Sequence, residues 1–311
     1  MTQETLFEVN AMPYRQAIPV YGYRFGSNKK TLAIMGAMRG DEFQQMYICA
    51  KLVKTLTKIE AEGNLNKDYG ILVIPSASQF SMNVGKRFWP VDNTDINRMF
   101  PGYDKGETTQ RLADSIFREL KGYQYGIQLA SFYIAGEFLP HVRLMNTGYT
   151  NPDDGYLFGL PYLVLRKPKP YDTTTLNYNW QVFETDAFSV YTKATERLDE
   201  ENANIALEAI LRFMAKKGFI DYEGEFGTKT SFVEEYDMLT IQTKAAGLFI
   251  PIAKAGDLVL ENEEIAEILS PYTAEKLEVI KAKKKGRVFF VRHAEAIMEH
   301  DLIFRIIPEE V

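Results

Sequence analysis

Three histidines, one cysteine and a loop in which arginines alternate with acids are the parts of this 311-residue chain that could do chemistry. The histidines are His141, His293 and His300. A histidine-based zinc site needs two or three of them converging. Only His293 and His300 lie near each other in sequence, and that loose pair reads as surface or barrel residues. Cys49 falls inside an apolar helical stretch with no activating histidine nearby, so it reads as a buried apolar residue rather than a nucleophile. Ser78, Ser81 and Ser131 lie in or beside loops, but no Gly-x-Ser-x-Gly elbow is present to make a serine hydrolase. Residues 76–105 carry Asn, Asp, Gly, Pro and aromatics with no clean period. So long an irregular stretch inside a compact domain is usually functional.

The elements that must position these residues alternate between strand and helix. Residues 18–26 and 30–36 read as a hairpin or two neighbouring strands. Residues 41–62 have helical spacing, with Asp41 and Glu42 at the positive end and Gly63 as the stop. GILVIP, residues 70–75, is a continuous apolar strand buried on both faces. Residues 107–121 form a helix, 123–129 a short strand, 185–191 a strand, and 199–217 the clearest helix, stopped by Gly218. Residues 151–184, rich in Pro, Asn and Tyr, read as a cover over the surface near a site. The alternation argues for an α/β sheet domain over residues 1–228. From 229 to 311 short strands and Gly turns take over, which reads as a small all-β barrel or sandwich. The lysine run KAKKKG, residues 281–286, is a solvated turn between strands.

Composition narrows the function classes. Apolar residues are 46% and charged residues 25% of the chain, which is ordinary globular usage. A net charge of −6 gives no field that would draw the whole molecule to nucleic acid or an anionic membrane. A single cysteine forbids an intrachain disulfide and fits a reducing compartment. The opening residues MTQETLFEVNAMPYRQ lack a basic start followed by an apolar core, so no secretory leader is expected. No apolar run reaches the roughly 18 residues of a membrane span. The expectation is a cytoplasmic protein without nucleic-acid or membrane partners.

Four segments carry a resemblance. GAMRGDE, residues 36–42, looks like a Gly-Gly-x-His-Gly-Asn-Glu segment. NVGKRFWPVDNTDINRMFPG, residues 83–102, is similar to an Asn-Pro…Arg…Pro-x-Asp-Gly-x-Asp-Leu-Asn-Arg-x-Phe-Pro-Gly loop. GIQLASFYIAGEFLPHVRL, residues 126–144, resembles an Ile-Asp-Leu-His strand end with a following Pro-His-x-Arg. AAGLFIPIAKAGDLVLENEEIAEI, residues 245–268, resembles a β domain of biotinyl/lipoyl pattern. All four resemble patterns of the succinylglutamate desuccinylase/aspartoacylase family, relatives of the zinc carboxypeptidases. The resemblance implies a zinc-carboxypeptidase-like α/β/α domain with a mixed sheet, plus the small β domain. It also implies a zinc-dependent amide or ester hydrolase in which His-x-x-Glu and a later His hold zinc. Zinc lowers the pKa of its bound water and polarises the scissile carbonyl.

Carried over residue by residue, the resemblance puts the first zinc histidine on Arg39 and the zinc glutamate on Glu42. The second zinc histidine falls on Ala130, and the aspartate two residues before it on Gln128. The glutamate that activates water falls on Tyr191. The loop residues Arg87, Asp95, Asn97 and Arg98 all match. One carboxylate cannot make a zinc site, and a fixed guanidinium about 4 Å from a divalent cation at an effective dielectric near 20 would cost about 8 kcal/mol. Arg39 and Glu42 lie three apart and can meet if the turn is helical, with the guanidinium neutralising the carboxylate.

Three functions compete. In the first, the chain is a catalytically impaired family member without a metal cofactor. Arg39, Asn97, Arg98, Gln128 and His141 then bind a small anion, a carboxylate, with Arg87 and Tyr191 at the catalytic positions. In the second it is an active metal-dependent deacylase that holds zinc through Glu42, with His141, Asp92 or Asp95, and Gln128. In the third it is a structural module whose pocket is filled by Phe88, Trp89, Tyr133 and Tyr191. A braced Arg98 would pair with Asp92 or Asp95. A homo-oligomer is compatible with all three.

Overall fold

The computed structural model describes residues 1–10, 13, 14, 16–149, 151–194 and 197–309; residues 310 and 311 of the expected C-terminal domain lie outside these. The chain divides into two compact units. The first takes Met1–Ser131 and His141–Ser231; the second takes Phe132–Pro140 and the chain from Phe232 onward. The excursion Phe132–Pro140 is not part of the expected boundary at 228/229. No helix among the described residues is long and apolar enough to cross a membrane.

A mixed sheet organises the first unit. Its strands lie in the order Thr2–Val9, Ile18–Gly26, Gly70–Ser76, Leu32–Ala37, Tyr125–Ala130, Asp186–Tyr191, His141–Met145 and Tyr162–Arg166. The strands from Gly70–Ser76 to Asp186–Tyr191 are parallel, and antiparallel pairs flank them on both sides. Residues 18–26 and 30–36 form neither a hairpin nor a pair of neighbouring strands, because Gly70–Ser76 is inserted between the two. The cause is burial. Leu32–Ala37 is buried at all six residues, so it needs a neighbour on each edge and helices on each face. The helix Phe43–Ala61 supplies the crossover that returns the chain beside it.

Two apolar layers sandwich this sheet. On one face Ile34, Ile127, Leu129, Val142 and Val190 meet Ile48, Leu52 and Leu56 of the first helix and Ala206, Ile210 and Phe213 of Glu200–Lys216. On the other, Ala33, Met35, Leu72 and Ala187 meet Leu112 and Ile116 of Thr108–Leu120 and Leu176 and Trp180 of Leu176–Val182. The stretch 151–184 is therefore no mere cover. It contributes the strand Tyr162–Arg166 and a helix whose Trp180 is fully buried. The Pro and Asn signals mark its turns and mask the apolar residues between them.

The second unit is built of antiparallel pairs. One sheet runs Leu239–Gln242, Leu302–Pro308, Gly286–Arg292, Leu258–Val259, with Gly136–Phe138 also on Gly286–Arg292. The other runs Lys276–Lys281, Glu264–Leu269, Gly247–Pro251, Ala296–Ile297. Its core gathers Ile241, Phe249, Ile265, Ile268, Val288 and Phe304. The lysine run sits in the turn between Lys276–Lys281 and Gly286–Arg292. His293 lies 3.6 Å from Glu137 and His300 lies 3.4 Å from Glu299, so the two histidines meet separate carboxylates.

Candidate functional site

Parallel strands end where ligands bind in open α/β sheets, because side chains and loop backbones converge there. Leu32–Ala37 runs into Met38–Glu42, and Glu42 stands at the start of the first helix. The turn packs against the long loop: the Gly40 amide donates to the Arg87 carbonyl at 2.9 Å. A Cβ at Gly40 would lie 2.1 Å from the Lys86 carbonyl oxygen, so only glycine allows this approach.

Arg39 turns inward from this loop and is 4% exposed. Its Nε and Nη2 make a two-pronged contact with Asp95, at 3.0 and 2.9 Å. Its Nη1 donates to Glu42 Oε1 at 2.9 Å and to Ser131 Oγ at 3.1 Å. Glu42 Oε2 accepts the Met38 and Arg39 amides at 2.8 and 3.0 Å, and the Ser131 hydroxyl donates to Oε1. Arg39 and Glu42 thus meet across the turn, with both glutamate oxygens occupied by donors. Burial disfavours the Arg39 cation, but the Glu42 and Asp95 carboxylates outweigh it and raise its pKa. Arg87 pairs with Asp41 and lies 3.5 Å from Ser131 Oγ. Two guanidiniums face three carboxylates here, so the cluster sums to −1.

A family zinc does not fit this arrangement. The aligned positions offer Arg39, Glu42 and Ala130. Guanidinium only donates and stays protonated, and alanine has no donor atom. Glu42 is left as a single ligand with both oxygens already engaged. Among the described residues no group of three or more His, Cys, Asp or Glu side chains could hold a metal ion.

The remaining residues divide into two groups. Arg98 does not join Arg39. It donates to the Tyr171 carbonyl at 2.9 Å and lies 3.8 Å from Asp172, so its brace is neither Asp92 nor Asp95. Asp92 is taken by Thr109 and Thr94. The three arginines therefore do not converge on one anion. Asn97 is buried and its Oδ1 accepts the Leu176 amide at 3.0 Å. Across the sheet, Ala130, Tyr191 and His141 lie in register, and one row deeper come Gln128, Ser189 and Arg143. His141 and Tyr191 stack at 4.7 Å with ring planes 6° apart. Arg143 lies 4.3 Å from the Tyr191 ring centre and donates to the Tyr191 hydroxyl at 3.2 Å. Its Nη2 is 3.3 Å from His141 Nε2. Of the aromatics expected as filler, Trp89 is buried beside Phe80, whereas Tyr133 is 60% exposed and belongs to the second unit. Sequence reasoning passed over Arg143, Asn177 and Ser189. The alternation His141-x-Arg143 along one strand face was the available signal.

Comparison with known proteins finds similar chains. Residues 28–131 match the family model of the succinylglutamate desuccinylase/aspartoacylase catalytic domain. An N-alpha-acetyl-L-2,4-diaminobutyric acid deacetylase of Halomonas elongata is 28% identical over 103 residues, which is 33% of this chain and 28% of that protein. Among solved structures, a succinylglutamate desuccinylase from Silicibacter sp. TM1040 superposes with a TM-score of 0.80 at 18% identity, over 93% of this chain and 88% of that one. The product-bound ectoine utilization protein EutE (DoeB) of Ruegeria pomeroyi gives a TM-score of 0.77 at 16% identity, over 93% and 89%. At such identities these structures speak for the fold.

Proposed function

We propose that this chain, which over residues 28–131 belongs to the succinylglutamate desuccinylase/aspartoacylase catalytic-domain family, is a non-hydrolytic, cytoplasmic member of it. In it a side-chain cation stands in for the catalytic metal. The observation that carries the reading is the two-pronged Arg39–Asp95 contact combined with the Arg39–Glu42 pair. A buried guanidinium neutralises the carboxylate that the family uses as a ligand, and Ala130 stands where the second histidine would. With both of its oxygens engaged, Glu42 is not free to activate a water against an amide. The chain then keeps a pocket at the strand ends and uses it to bind. The two antiparallel sheets of the second unit close, in this reading, as a biotinyl/lipoyl-like barrel or sandwich.

The test is metal content and hydrolysis together. The protein is purified without a metal-affinity tag, supplied with zinc, and assayed by elemental mass spectrometry and against a panel of N-acyl amino acids. The expected result is far less than one zinc per chain and no chelator-sensitive hydrolysis. One equivalent of zinc with chelator-sensitive turnover would overturn the reading and make the protein an active deacylase with a rearranged site.

A further inference from the structure

The row one step deeper than Ala130 differs from the ionic cluster above it: beside Arg143 it carries neutral polar groups, and the amides in and around it are under-used. Asn177 is 1% exposed; its Nδ2 donates to Ser189 Oγ at 3.0 Å, but its Oδ1 is buried without a hydrogen bond. Gln128 is 3% exposed, and its side-chain amide makes no hydrogen bond among the described residues. Asn97 is 8% exposed and spends its Oδ1 on the Leu176 amide, while its Nδ2 makes no hydrogen bond among the described residues.

Two of these amides meet at Ser189, and the third is tied to the same helix. Gln128 and Ser189 are cross-strand partners, so their side chains share a sheet face about 5 Å apart. The helix Leu176–Val182 lies over that face. A Cβ on Gly126, two residues before Gln128, would touch the Trp180 ring at 2.8 Å, and Asn177 sits one turn before Trp180 over Ser189. Asn97 is tied to the first amide of the same helix. Buried amides left without partners are costly, and native proteins satisfy them or use them.

The unused atoms specify a ligand. Asn177 Oδ1 asks for a donor, Asn97 Nδ2 asks for an acceptor, and Gln128 offers one of each. A carboxylate brings acceptors only, and an ammonium donors only. The guanidiniums that could clasp a carboxylate already have partners: Arg39 meets Asp95, Arg87 meets Asp41, and Arg143, opposite Ser189, meets Tyr191 and His141. We propose that the row Gln128–Ser189 under Asn177, with Asn97 at its rim, binds a small neutral molecule through a primary carboxamide or ureido group. This deepens the non-hydrolytic reading by replacing an anion with a neutral planar group, and it rests on that reading for the pocket being a binding site.

The full-length protein is titrated by calorimetry with succinamide and with its isostere succinate, and the side-chain amide resonances of Gln128, Asn97 and Asn177 are followed by NMR. The expected result is saturable succinamide binding at least about tenfold tighter than succinate, because a site built to hydrogen-bond a group rejects the analogue lacking it. All three amide resonances should shift. Gln128→Met, which keeps the volume, should weaken succinamide about tenfold without lowering the melting temperature. Succinate binding as tightly as succinamide, or no saturation with either, overturns the proposal, and so do unmoved amide resonances in the parent protein. Zinc content and hydrolysis measured on the same preparation separate the two readings. Zinc-dependent turnover with selective succinamide binding sinks the non-hydrolytic reading alone. Zinc-free protein with no amide selectivity sinks this one alone.

Discussion

The two ends of the central sheet treat buried charge in opposite ways. At the C-terminal ends of the parallel strands, Glu42 and Asp95 are matched by Arg39, whose cation they hold more firmly than usual. At the other end, Asp186 opens its strand with Oδ1 buried and without a hydrogen bond. Burial and the neighbouring Asp154 push its pKa up to about 6, against the Asn151 amide and Lys217, which pull it down. Lys217 is itself engaged with Asp154 at 2.8 Å. The matched end has the geometry of a structural core in which each carboxylate meets a guanidinium. The unmatched end carries a carboxylate that the fold tolerates at a cost. The contrast bears on function, because open α/β sheets bind ligands at the C-terminal ends of their strands, where the paired cluster lies.

The largest expected effect comes from breaking the matched end. Arg39→Met leaves Glu42 and Asp95 facing each other without a cation. Removing one partner of a buried ion network costs about 3–5 kcal/mol. Urea unfolding should report a loss of that order at pH 7, and the gap to the parent should narrow as pH falls and the stranded carboxylates protonate. A loss below about 0.5 kcal/mol would put Arg39 among surface pairs and remove the basis of the comparison. The sharper version is Arg39→His with Ala130→His. It restores two histidines beside Glu42, the ligand number a catalytic zinc requires. Elemental analysis should find zinc rising toward one per chain. A double variant that stays metal-free would show that Arg39 does not occupy the metal's place.

Much of this site was legible in the sequence, for a physical reason. Arg39 and Glu42 are three apart in a tight turn, so their meeting follows from local geometry. The helices 41–62, 107–121 and 199–217 were each read within two residues of their ends, because a 3.6-residue period is local too. What stayed hidden is non-local. Strand order depends on which edges need covering, so Gly70–Ser76 slipping between 18–26 and 32–37 left no mark on either strand. Arg98 was expected in the anion pocket or, as a brace, beside Asp92 or Asp95, which are near in sequence. It went to Asp172 and the Tyr171 carbonyl, more than seventy residues on. The same limit hid Asn177 and Ser189, which become a pair only once a helix is laid over the sheet.

A smaller effect tests the unmatched end. Asp186 has a folded-state pKa of about 6 against about 3.9 in an unfolded chain. The unfolded state therefore releases this proton first as pH rises. Stability from this residue is intact below about pH 4, is lost between pH 4 and 6, and stays lost above. Asp186→Asn removes the ionisation. Because the side chain is partly solvated, the gain should be discounted to roughly 1 kcal/mol at pH 7 and should vanish near pH 4. Thermal unfolding at the two pH values measures it. A variant less stable than the parent at pH 7 would mean that Lys217 compensates Asp186 after all, and the two ends would no longer differ in kind.

The smallest effect lies between the two ends, at Gln128. If its amide has no partner within the chain, exchanging it for an apolar side chain of similar volume removes a desolvation penalty and breaks nothing. Gln128→Met should then leave stability unchanged or raise it by up to about 1 kcal/mol. This is opposite in sign to Arg39→Met one row above. The opposition matters more than the magnitude. A residue kept polar against its own contribution to stability is the pattern of a group retained for something outside the chain. If Gln128→Met instead destabilises by about 2 kcal/mol or more, the amide is satisfied within the fold. The row would then join the ionic cluster as internal structure, and the sheet would carry one region of uncompensated polarity, around Asp186, rather than two.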